Sequence, residues 1–248
     1  MVRGAGTALN MAAILVGSGL GVALGSRLPE RTRVTVTDAL GLVTLVIGGL
    51  NVAALGDPAF RRAVGDDGTL LVVLGALLVG GIVGSLLQIE ARLEGIGAWL
   101  QRRLSREGTG PARARFVEGY VSASLVFVVG PLAVLGSLSD GLGRGIDQLA
   151  LKSTLDGFAS LAFAASLGWG VAASALSVGL VQGLLTLTGF LLGGLLPASM
   201  VASLTATGGV LLLGVGLRLL AVKAVPVGDL LPALIAAPAL TALADALM

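Results

Sequence analysis

The 248-residue chain contains no cysteine and no histidine. Those two absences exclude disulfides, thiolate chemistry, a Ser-His-Asp triad and any metal site built on sulfur or imidazole. A bound cation would need hard oxygen ligands, and the sequence designates no such metal. Charge is scarce too, at 12% of residues, where a soluble domain carries about a quarter. Aromatics make up 4%, so the slight basic excess does not interleave with stacking platforms, and nucleic-acid binding is not expected. No cofactor motif stands out.

What is there in quantity is apolar. Hydrophobic residues are 55% of the chain and the mean hydropathy is +0.99. So few charged groups cannot coat a globule, so the solvent for most of the surface must be lipid. Apolar runs of about 20 residues recur, the length a helix needs to cross a bilayer, and the short alternating strands of a barrel are not visible. The expected fold is all-α: a polytopic membrane protein of seven or eight transmembrane helices in one integral domain over 1–248. Spans are expected near 4–25, 36–56, 68–88, 117–138, 149–168, 171–194, 202–222 and 228–247. The first has no charged n-region or clear cleavage site and reads as a retained helix. Gly130-Pro131 should break or kink the fourth, and Pro232 and Pro238 the last, because proline removes a donor and crowds the preceding turn.

A polar stretch over 89–116 contains "RRLSREGTGPARARF" and reads as a basic cytoplasmic loop. With eight spans, eleven basic residues fall on one side of the membrane, among them Arg27, Arg31, Arg33, Arg113 and Arg115, and four on the other: Arg3, Arg61, Arg62 and Arg144. The positive-inside bias makes the richer side cytoplasmic and both termini external.

The chain also repeats weakly. "GVALGSRLPERTRVTVTDALGLVTLVIG" from Gly21 and "GFLLGGLLPASMVASLTATGGVLLLGVG" from Gly189 share 9 of 28 positions at a constant offset of 168. Shared positions include Leu28/Leu196, Pro29/Pro197, Gly41/Gly209 and Gly48/Gly216. Repeat 1 would cover 4–88 and repeat 2 171–248, with central helices over 117–170. Equivalent spans lie five helices apart and so cross in opposite directions, which is an inverted-topology repeat. Glycines four apart, such as Gly17/Gly21/Gly25 and Gly80/Gly84, permit close helix packing, within the chain or across a homodimer.

Against this background "LALKSTLDGFASLAFAASLG" (149–168) is anomalous. Lys152 and Asp156 stand four apart on one helix face and can pair. An ionisable group at the bilayer centre costs about 2.5–3.5 kcal/mol on insertion scales and normally faces protein or water. If the span starts at Leu149, Lys152 lies in its first turn and can snorkel, whereas Asp156 is deeper. Ser153 adds a hydroxyl, and Gly157 would loosen the helix and free carbonyls. Asn10 and Gln182 are mid-span amides, suited to interhelical bonds or ligand contacts. "GPLAVLGSLSDG" (130–141) joins a broken helix at Gly130 to Asp140 just before the charged helix, as at transporter midplane sites. Asp38 reads as a helix cap and Arg218 as a snorkelling side chain.

"GPLAVLGSLSDGL", "LKSTLDGFASLAFAASLGWGV", "GGVLLLGVGLRLL" and "LLPALI", with the N-terminal "GTALN" and "LPER", resemble the domain-of-unknown-function 554 family of bacterial inner-membrane proteins across essentially the whole chain. The resemblance implies a multi-pass protein of the bacterial cytoplasmic membrane and supplies no substrate or reaction. The expected function is a small secondary transporter or channel for an ion or small polar solute. The expected site comprises Asp156, Lys152, Ser153, Asn10, Gly130, Gly157, Asp140 and Gln182. The alternative is a non-transporting scaffold that binds partner helices. An enzyme is not expected, because the neighbours Lys152 and Ser153 point in different directions on a helix. Expected partners are the lipid bilayer and the transported solute, together with a second copy of the chain if the glycine faces dimerise.

Overall fold

The computed structural model describes residues 3–25, 29–92, 95, 99, 110–128, 131–192 and 197–247. Among these there is no strand. The helices are α1 (Ala5–Gly25), α2 (Glu30–Val52), α3 (Pro58–Val64), α4 (Gly68–Leu86), α5 (Pro111–Val128), α6 (Pro131–Gly141), α7 (Asp147–Leu167), α8 (Gly170–Leu192), α9 (Ala198–Leu219) and α10 (Ala233–Leu247). Short 3-10 turns cover Ala53–Gly56 and Val227–Leu230. Six helices are long and apolar enough to cross a membrane among the described residues, and a seventh span arises if α5 and α6, bent by 77° at their junction, count as one. The bend falls at the proline break expected from sequence. Pro238 lies inside α10, which stays helical through it.

Two boundaries correct the sequence reading. α2 begins at Glu30, so Asp38 is an exposed residue inside the helix rather than its cap. α7 begins at Asp147, so Lys152 stands in its second turn instead of its first. At 21 residues α7 is long enough to span, but it is not among the six apolar helices, because its charges and serines lower its hydropathy.

On α1 the side chains are distributed inside-out relative to a helix of a soluble bundle. The buried positions are small or polar, Gly6, Thr7, Asn10, Gly17, Ser18, Gly21 and Gly25, with Ile14 the one large apolar residue. Leu9, Leu15, Val16, Leu20 and Leu24 face outward. In lipid there is no hydrophobic gain from hiding leucine, so close backbone approach decides which face turns inward.

The chain divides into two compact units. The first comprises residues 1–40, 93–128 and 132–195, and the second 41–92, 129–131 and 196–248. Each draws on both halves of the sequence.

In the first unit α1 lies along α7. A side chain at Gly17 would strike the carbonyl of Gly157, one at Gly21 that of Leu161, and one at Gly25 that of Ala165. The regular four-residue glycine spacing is therefore spent on a helix–helix contact within the chain. On the other side of α1, Met11 packs on Gly179 of α8, and the Thr7 and Thr186 hydroxyls lie 3.4 Å apart. The start of α5 meets α8 where Phe116 abuts Gly170. α6 reaches both neighbours, Gly136 against Leu149 and Leu138 against Gly189.

In the second unit α2 and α9 cross antiparallel through glycines. Gly41 faces Gly216, and Gly48 faces Gly209; Leu45 packs on Gly216 and Leu213 on Gly48. α4 meets the 3-10 turn and α10 at Gly84–Asp229 and Gly80–Ala233. α3 closes one end. Pro58 starts it, and the Asp57 carboxylate accepts from the Ala59 and Phe60 amides at 2.8 and 3.2 Å. That is an N-cap with proline at N1, the combination that satisfies free amides at a helix start. It buries Phe60 against Val73, Ala202 and Ala206.

Candidate functional site

The first unit holds a buried charge pair. Lys152 and Asp156 are one turn apart on α7, and their side chains are each 8% exposed. Lys152 Nζ lies 3.0 Å from Asp156 Oδ1 and 2.8 Å from Oδ2. Asn10 of α1 donates from Nδ2 to Asp156 Oδ2 at 2.9 Å. The glycines of α1 set this geometry by letting its backbone approach α7 closely enough for a short amide to reach the carboxylate. Lys152 does not snorkel: its ammonium turns along its own helix to Asp156, within protein.

Gln182 is bracketed on α8 by Gly179 and Thr186, which touch Met11 and Thr7 of α1. It therefore stands at the level of α1 from which Asn10 reaches Asp156. Gln182 is fully buried, and neither its oxygen nor its nitrogen has a partner among the described residues; Asn10 Oδ1 is likewise without one. A buried polar atom without a hydrogen bond costs about 1–3 kcal/mol, and such atoms in a native fold ask for a water, an ion or a ligand. The arrangement thus offers one cation, one carboxylate and unused amide donors and acceptors at one level of the unit.

The other expected site residues have different places. Ser153 is buried and donates to the Leu149 carbonyl at 2.6 Å, so its hydroxyl is taken by its own helix. Gly157 does not loosen α7, which runs unbroken from Asp147 to Leu167. Its carbonyl instead accepts from Ser160 at 2.9 Å and presses on Gly17. Asp140, at the end of α6, accepts from the amides of Gly4 and Gly6 at 3.1 and 3.0 Å and so caps α1. That satisfies two of the free N–H groups at a helix start and places a carboxylate at the positive end of its dipole. Gly130 lies outside the described residues. Among those described, no group of three or more acidic residues is arranged to hold a metal ion.

The second unit holds a charge cluster that the sequence reading missed. Arg218, at the end of α9, does not snorkel but pairs through Nη1 with Glu90 Oε1. Glu90 Oε2 accepts from the Gly228 amide, and the Glu90 amide donates to Asp229 Oδ1 at 2.9 Å. These partners are separated by 128 to 139 positions, so no local pattern links them. The one sequence signal was an arginine placed late in an apolar span.

The family described as a protein of unknown function, DUF554, matches residues 5–242. The protein YqgA of Escherichia coli (strain K12) is 32% identical over 237 residues, covering 96% of each chain. The membrane protein YdfK of Bacillus subtilis (strain 168) is 26% identical over 233 residues, covering 94% of this chain and 93% of its own. No solved structure matches. With its apolar helices and a match over nearly its full length, the chain belongs to the DUF554 family of membrane proteins.

Proposed function

We propose that the protein is a small secondary transporter of the bacterial cytoplasmic membrane, carrying an ion or a small polar solute, with its site at Lys152, Asp156, Asn10 and Gln182. The observation that carries this reading is the conjunction of a buried ion pair with unused amide groups at the same level. Burying two charges costs several kcal/mol each before their attraction is counted (about, after relaxation). The ion pair itself lies within one helix and its one tie to a distant segment is the Asn10 bond to Asp156, a bond that a neutral acceptor could also make, so bracing alone does not explain a buried ammonium there. Ligand exchange does. Asp156 would take a cation or proton while Lys152 holds the carboxylate between events, and the amides would supply the remaining contacts.

The reciprocal glycine contacts of the second unit support an inverted repeat. The 168 offset relates Gly41 to Gly209 and Gly48 to Gly216. Exchanging the two repeats therefore turns the Gly48–Gly209 contact into the Gly216–Gly41 contact, and Leu45–Gly216 into Leu213–Gly48. A two-fold axis in the membrane plane has that effect, and it is the plan of many secondary transporters. The reading is non-enzymatic: Ser153 and Lys152 are engaged with different partners and form no dyad. Termini outside and 89–116 in the cytoplasm remain the topology that the basic residues favour. The glycine faces at Gly17, Gly21, Gly25, Gly80 and Gly84 are filled within the chain, so a homodimer would use other surfaces.

The test is flux. Purified protein in proteoliposomes, on a solid-supported membrane, is challenged with gradients of protons, alkali cations and small polar solutes. A charge movement or uptake is expected for at least one of them, and Asp156→Asn should abolish it in protein that remains monodisperse and helical. Unchanged flux in that variant would remove Asp156 from the site.

A further inference from the structure

A second feature of the first unit lies apart from the charge pair. Between α1, the start of α5 and the first half of α8 runs a crevice of about 510 Å3. Met11, Leu15, Phe116, Trp169 and Leu176 line it, with small residues such as Ala172 recessing the wall. Trp169, 58% exposed, sits at one end in the α7–α8 turn. At the other end Met11 packs on Gly179. Ten residues of α8 separate Trp169 from Gly179, about 15 Å at 1.5 Å per residue. That is half of the ~30 Å hydrocarbon core, the depth of one leaflet.

The mouth is cationic. Arg115 precedes Phe116 on α5, and its guanidinium lies against Gly168, the neighbour of Trp169. It is exposed, and among the described residues no carboxylate forms an ion pair with it. Tryptophan and arginine at the rim of an apolar slot one leaflet deep match the parts of a phospholipid. Hydrocarbon fills the slot, the indole sits at headgroup level, and the guanidinium meets phosphate in a planar, bidentate way.

We propose that this crevice is a binding site for an anionic phospholipid, with one acyl chain between α1 and α8 and the headgroup on Arg115. Charge complementarity selects an anionic lipid over a zwitterionic one, whose phosphate already carries its own counter-charge. Basic pockets between transmembrane helices recognise anionic headgroups in this manner.

The experiment uses the full chain with Trp99→Phe, which leaves Trp169 as the sole tryptophan. The protein is reconstituted in phosphatidylcholine vesicles containing rising fractions of phosphatidylglycerol or phosphatidylcholine with brominated chains, and indole quenching reports occupancy of the crevice. Brominated phosphatidylglycerol should quench at a lower mole fraction, by roughly fivefold for the contribution of one arginine near the surface. Arg115→Gln should bring the two curves together, and Arg115→Lys should restore part of the preference. Equal quenching by both lipids in the Arg115 protein, or a preference that survives Arg115→Gln, would overturn the proposal.

Discussion

Each unit holds a pair of opposite charges, buried in the first and part-buried in the second, and the two pairs differ in what they connect. Glu90–Arg218, with side chains 14% exposed, links the segment after α4 to the end of α9. Both Glu90 carboxylate oxygens are satisfied, and its own amide is held by Asp229. Lys152–Asp156 is more buried, links two positions on one helix, and leaves the amide of Asn10 half used and that of Gln182 idle. A charge pair that ties remote segments with its hydrogen bonds complete is a brace. A charge pair held within one helix, tied to a remote segment only through the Asn10 amide and with hydrogen-bonding capacity left over beside it, is the arrangement that the proposed site would use for an additional partner.

This contrast can be broken by substitution. The largest effect is expected where one partner of the deeper pair is removed. Asp156→Ala leaves the Lys152 ammonium buried without a counter-charge and should destabilise the protein by about 3–5 kcal/mol, read from unfolding in mixed micelles. Replacing both partners, as Lys152→Met with Asp156→Leu, should recover most of that loss, because an apolar pair of similar volume carries no desolvation cost. A double variant as unstable as the single one would mean that the pair holds the fold.

Next comes the brace. Glu90→Ala deprives Arg218 and the Gly228 amide of an acceptor together, and a loss of about 1.5–3 kcal/mol is expected. Transport should persist in the protein that remains folded. Loss of flux at unchanged stability would instead place the cluster in the working machinery. The smallest effect is expected at Asn10→Ala, which removes one bond to a carboxylate but also deletes an unsatisfied oxygen. The two changes offset one another, leaving a net cost of about 1 kcal/mol in the same unfolding measurement.

The contrast also shows what a sequence can carry. Most span positions were legible because lipid imposes a common length and an apolar composition on the helices that cross it, as in six of the helices described. The Lys152–Asp156 pair was legible because its spacing is helical and its setting apolar. Asn10 was recognised as a mid-span amide, but its carboxylate partner lies 146 positions away, and only the close approach of α1 to α7 brings them together. Glu90 had no signal of its own, because it follows α4 where polar residues begin and acquires its role from α9 and the 3-10 turn. Asp140 was singled out for its place after a broken helix, yet its partners are amides at the chain start, contacts that no local pattern encodes. Gly157 was read as a weakness in α7, yet the helix runs unbroken through it, and the close approach belongs to Gly17 of α1, which meets the Gly157 carbonyl. Glycine spacing announces close contact without saying with what.

The most direct test of the central claim compares flux in proteoliposomes from the wild-type chain with flux from the Lys152→Met/Asp156→Leu double variant, both verified as folded by their unfolding curves. If the pair is the site, the double variant recovers most of the stability lost in Asp156→Ala and carries no flux of the solute or ion that the wild type moves. A stable double variant with wild-type flux would contradict the account.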